Sequence, residues 1–82
     1  MKVVVDGVTL EASYTLQSGI LKVEVEAYDS AEPSAERRRD TLLLKPGQRQ
    51  IICVQRAFGR SPRCFTLTRI GDGLQVSADG TQ

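Results

Sequence analysis

The chain has no histidine and no tryptophan, and only one methionine, two cysteines and three prolines among its 82 residues. Each scarcity closes a class of function. Without histidine, the commonest general base and the commonest transition-metal ligand are both missing. A serine or cysteine nucleophile would have only carboxylates or a lysine to activate it, and no suitable spacing stands out. Two cysteines cannot by themselves close a structural zinc site. No catalytic residue, metal ligand or cofactor is therefore expected. Long apolar runs are also absent, since Val3–Val5, Leu42–Leu44 and Ile51–Val54 fall far short of the roughly 20 residues of a membrane helix. No positively charged start followed by an apolar stretch marks a secretory leader. These absences point to a cytoplasmic protein with no membrane partner. In that compartment Cys53 and Cys64 read as two reduced thiols of the core type, with a single disulfide between neighbouring strands as the alternative.

What is present is the composition of one small globular domain spanning 1–82, with 40% hydrophobic and 26% charged residues. A chain of this size buries only about 60–65% of its unfolded surface, so its stability is modest. The hydrophobic pattern alternates with the period of strands. Asp6-Gly7 between two β-branched runs is a tight hairpin signal, giving strands at 2–5 and 8–17. In the second, Val8, Leu10, Ala12, Tyr14 and Leu16 form a core face, and Thr9, Glu11, Ser13, Thr15 and Gln17 a wet one. Ser18-Gly19 turns the chain into a strand at 20–28, where Leu21, Val23, Val25 and Ala27 alternate with polar residues.

From Asp29 to Asp40 the alternation stops. This polar run reads as an exposed loop, or a loop with one short helix near 33–39 opened by Pro33. Strands resume at 41–45 and 49–56 around the turn dipeptide Pro46-Gly47. A hairpin loop at 57–62 and a strand at 63–70 follow, with Phe65 and Leu67 inward. Gly71-Asp72-Gly73 then leads to a last strand at 74–78. That glycine pair is a turn rather than a phosphate loop, because the helix and lysine of such loops are missing. About six to seven short antiparallel strands predict an all-β fold, either a small Sm-like barrel or a compact β-sandwich.

Charge divides along the chain. Residues 1–36 hold two lysines against seven carboxylates, whereas residues 37–69 hold nine cations against Asp40 alone. Eight of those nine are arginines, whose planar forks grip phosphate or carboxylate through paired hydrogen bonds. An anionic partner fits this bias. The competing reading is that the two halves neutralise each other across the folded surface. Arg37, Arg38 and Arg39 form the densest cluster. Phe58, beside Gly59 and Arg60 at a hairpin tip, is suited to stack on a base or fill a partner's pocket. Glu24 and Glu26 share one strand face as a solvated pair rather than an acid–base couple.

The stretch from Gly47 to Gln55, followed by Arg63-Cys64-Phe65-Thr66-Leu67-Thr68-Arg69-Ile70, resembles the end of a WYL domain. Arg63, Phe65, Leu67, Arg69 and Ile70 match the closing Arg-x-Phe-x-Leu-x-Arg-Ile strand of that family. The Trp-Tyr-Leu signature itself is replaced by Gln50-Ile51-Ile52. The resemblance covers roughly a third of the chain. It implies an Sm-like ligand-sensing barrel acting as a regulator that senses nucleotide or single-stranded nucleic acid, with Arg63 and Arg69 as ligand contacts.

Three functional expectations follow. The first is a non-catalytic regulatory module that binds nucleic acid or a nucleotide through Arg37, Arg38, Arg39, Arg56, Phe58, Arg60, Arg63 and Arg69. The second is a small accessory protein, of the inhibitor or adaptor kind that mobile elements encode, docking on a larger protein complex. The third is an oligomerising module, a homodimer for example, that pairs exposed edge strands between chains.

Overall fold

The computed structural model describes residues 1–31, 37–56 and 59–79. Seven strands run β1 (Lys2–Val5), β2 (Val8–Gln17), β3 (Ile20–Asp29), β4 (Arg38–Leu44), β5 (Arg49–Val54), β6 (Arg63–Ile70) and β7 (Gly73–Asp79). They form a four-stranded sheet in the order β1-β2-β3-β4 and a three-stranded sheet in the order β5-β6-β7, all antiparallel. Among the described residues no ladder joins the two sheets. Of the two expected architectures the chain adopts the sandwich, and the shortest of its 42 × 23 × 15 Å extents suits two layers.

The hairpin signals act as expected. Asp6 and Gly7 have φ values of 52° and 79°, and Ser18 and Gly19 repeat the pattern at 51° and 81°. Both pairs are left-handed two-residue turns, whose twist matches that of the strands they join. The alternation of β3 also holds, since Leu21, Val23, Val25 and Ala27 are all buried. They meet Val8, Leu10, Ala12 and Leu44 of their own sheet and Ile52, Val54, Phe65, Leu67 and Leu74 of the other in one apolar cluster. Fully burying each such large side chain stabilises the fold by about 1.5–3 kcal/mol.

Four expectations need correction. Tyr14 and Leu16 are each 43% exposed although they lie on the inner face. β1 covers β2 only as far as Ala12, whose N–H bonds to the Met1 carbonyl at 2.9 Å. Beyond it β2 is a rim strand with cover on one side. Thr9, expected to be wet, is buried, with its Oγ1 2.6 Å from Ser30 Oγ.

Two residues of the arginine triplet are strand rather than loop or helix, and Arg37 precedes the strand. Arg38 and Arg39 open β4, paired with Ala27 and Glu26, while residues 33–36 of the expected helix lie outside the described residues. Strand pairing with β3 overrides the polar local sequence.

The cysteines are bonded as a disulfide rather than reduced, with their Cα atoms 4.0 Å apart. They stand directly opposite each other on β5 and β6. Their side chains lie on the outer face of the sheet, opposite to Ile52 and Phe65, and are half-buried there. An outward, directly opposed cross-strand pair brings two thiols within bonding reach, which the sequence spacing alone does not reveal.

Candidate anion-binding end of the sandwich

Three arginines hold the two sheets together. Arg38 at the start of β4 donates from Nη1 to the Cys53 carbonyl on β5 at 2.8 Å. Arg63 at the start of β6 pairs through Nη2 with Asp6 in the β1–β2 turn. At the opposite end Arg69, only 6% exposed, donates from Nη1 to the carbonyls of Gly19 at 2.7 Å and Leu44 at 2.9 Å. Its Nε donates to Gly71 at 2.8 Å, and its Nη2 lies 3.7 Å from Asp72. A planar fork with five fixed donors is what lets one side chain serve three segments at once.

Of the two ligand contacts implied by the family resemblance, Arg69 is thus enclosed by backbone carbonyls, and Arg63 is mostly buried and engaged with Asp6.

Four of the remaining candidates gather at one end of the molecule. The antiparallel registers, with the Arg38–Cys53 and Arg63–Asp6 contacts between the sheets, place the β1–β2 turn, the start of β4 and the described ends of the β5–β6 connection together. Arg37, Arg38, Arg56 and Arg60 all lie there, Arg60 exposed and Arg56 half-buried. Arg38 is further fixed by Nε to Asp40 Oδ2 at 2.8 Å, and Arg56 by Nε to the Ser61 carbonyl at 2.7 Å. Arg38 is thus fixed through both Nε and Nη1, and Arg56 through Nε. Phe58 lies outside the described residues.

Neutralisation accounts for another part of the charge. On the outer face of the larger sheet, Glu26 accepts from Arg37 Nη1 at 3.2 Å and from Arg39 Nε at 2.8 Å. Arg37 also stacks over the Tyr28 ring, 4.1 Å from its centroid, and the Tyr28 hydroxyl donates to Glu11 at 3.2 Å. The hydrogen bond from Arg39, aided by the charges of both arginines, lowers the Glu26 pKa below its ordinary value, with partial desolvation opposing it. Acidic-half carboxylates therefore hold basic-half arginines, a pattern that sequence reading weighed but could not assign to residues.

An open groove of about 1030 Å³ crosses this same face, lined by Lys2, Glu11, Ser13, Glu24, Glu26 and Arg39 among others. Its balance of charge is unsuited to a polyanion. Among the described residues no group of three or more potential metal ligands comes together, and no helix is long and apolar enough to cross a membrane. No family model, no curated protein and no solved structure matches this chain.

Proposed function

We propose that the protein is a non-catalytic binding module that engages nucleic acid through the arginine-bearing end of the sandwich. The observation that carries this reading is the convergence of Arg38, at the start of β4, with Arg56 and Arg60 of the β5–β6 connection onto one end. Two of them are oriented there through Nε. Connections at the end of a rigid sandwich are a common position for binding residues, because the sheets fix their roots. Guanidinium groups held in place before binding lose less side-chain freedom when they meet phosphate.

Fluorescence anisotropy against labelled single-stranded and duplex oligonucleotides tests the reading. With about three phosphate contacts, affinity should fall by roughly twenty- to fortyfold between 50 and 200 mM salt, and Arg56→Ala or Arg60→Ala should each lower the log–log salt slope by about 1. Absence of binding at 50 mM salt overturns it.

A second reading has its own observation. Residues 12–21 form the longest run without a charged side chain. Within it, among the described residues, β2 has no neighbour on one side beyond Ala12, leaving an unpaired strand rim at Tyr14 and Leu16. An uncharged open edge suits strand addition by a protein partner or by a second copy of the chain. Sedimentation of the protein alone over a concentration series separates the latter case from the former.

A further inference from the structure

The disulfide stands at the root of the proposed binding end. Cys53 and Cys64 form the second-last rung of the β5–β6 ladder, with only Val54 and Arg63 paired beyond them before the strands part. Three anchors of the arginine end depend on this point. The Cys53 carbonyl, turned away from β6, receives the Arg38 guanidinium. Arg63, next to Cys64, holds Asp6 in the β1–β2 turn. Arg56 ties the connection across to Ser61. Both cysteines lie on the outer face and are half-buried, so a small thiol reaches the disulfide from the solvent side rather than through the core.

Breaking the bond removes the covalent staple at this rung. Two unbonded sulfurs require a full van der Waals separation, so reduction rotates the side chains apart and leaves the last rungs held by ladder hydrogen bonds alone. Outside the rung only one ladder pair remains, and short terminal stretches of ladder open at little cost. Fraying there moves the Cys53 carbonyl away from Arg38, and frees the two ends of the connection that carries Arg56 and Arg60. Phosphate binding would then have to order these groups at the moment of contact, which lowers affinity.

We propose that the Cys53–Cys64 disulfide is a reversible thiol-exchange site that switches the arginine end between an ordered, high-affinity oxidised form and a loosened reduced form. This rests on the reading that the same end binds nucleic acid. The reductant is a dithiol. One of its thiolates attacks a protein sulfur to give a mixed disulfide and release the first protein thiol. The second dithiol sulfur then resolves the mixed disulfide. Two electrons and two protons pass to Cys53 and Cys64, and the reductant leaves as its cyclic disulfide.

The test compares the oxidised protein, the protein reduced with dithiothreitol and the Cys53→Ser/Cys64→Ser variant, each titrated into a labelled single-stranded 20-mer at 50 mM salt. Far-UV circular dichroism checks the sheets, and thiol titration counts the free cysteines. The switch predicts tight binding by the oxidised form, about tenfold weaker binding by the other two with sheet signal retained, and recovery on reoxidation. Equal binding by all three overturns the switch while leaving the nucleic-acid reading standing. Absence of binding in all three overturns both. A disulfide that dithiothreitol reaches only in denaturant also overturns the switch. If the reduced chain and the serine variant lose their sheets, Cys53→Val/Cys64→Val, whose β-branched pair suits opposed strand positions, replaces them. Binding by that variant equal to the oxidised protein overturns the switch.

Discussion

Arg69 on β6 donates a hydrogen bond to the carbonyl of Leu44 on β4 at 2.9 Å, crossing from one sheet to the other through a buried guanidinium. The same group also binds the carbonyls of Gly19 and Gly71. Truncating it to Arg69→Ala strands these acceptors and empties the space they share, and should cost about 2–4 kcal/mol in urea unfolding. Arg69→Lys should recover only a small part, because one ammonium cannot match three diverging acceptors.

Glu26 gives a pH signature. Its folded-state pKa is depressed by the hydrogen bond from Arg39 and by the charges of Arg39 and Arg37. A depressed carboxylate contributes stability that is fully present above the ordinary glutamate range and lost as pH falls through the depressed folded value. The gap in urea midpoint between the native chain and Glu26→Gln should therefore be widest near neutral pH and close on acidification below the ordinary glutamate range. Carbon-detected NMR titration of the carboxyl would read the shift directly.

Asp6 has two duties, occupying a left-handed position in a tight turn and pairing with Arg63. Asparagine tolerates that backbone region and alanine does not. Asp6→Asn should lose only the charge interaction, about 0.5–1 kcal/mol, whereas Asp6→Ala should lose the turn preference as well and cost about 1–2 kcal/mol. Thermal unfolding of the two variants side by side would show this order, and equal losses would mean that the ion pair dominates.

Phe65 is fully buried at the centre of the shared cluster. Phe65→Ala should cost about 3–5 kcal/mol, a large part of the stability of so small a domain, and Phe65→Leu considerably less. Far-UV circular dichroism under chemical denaturation distinguishes the two.

The sequence revealed local features and missed those that depend on the second layer. β1, β2 and β6 begin and end where alternation and turn residues place them, because a strand's side-chain period and a left-handed dipeptide are written within a few residues. Alternation says which way Tyr14 points but not whether anything covers it, and the short β1 leaves it at the rim. Arg38 and Arg39 look like loop residues until β3 is beside them. The arginine bias was visible by count, yet the partners that decide each role sit far away in the chain: Leu44 and Gly19 for Arg69, Asp6 for Arg63, Cys53 for Arg38. The disulfide was hidden for the same reason, since bonding reach is a matter of register rather than of spacing.

The strict chain order of strands within each sheet bears on how the molecule assembles in time. Among the described residues every ladder joins strands that follow one another in the sequence, so each rung closes only a short loop before the next can zip. Sandwiches with interleaved strands must wait for distant segments to meet, and this chain need not. The two meanders can form separately, leaving as the late event their docking through Phe65, Leu10 and the three arginine bridges. Folding is expected to be fast for an all-β chain, with bridge substitutions acting mainly on the rate of unfolding.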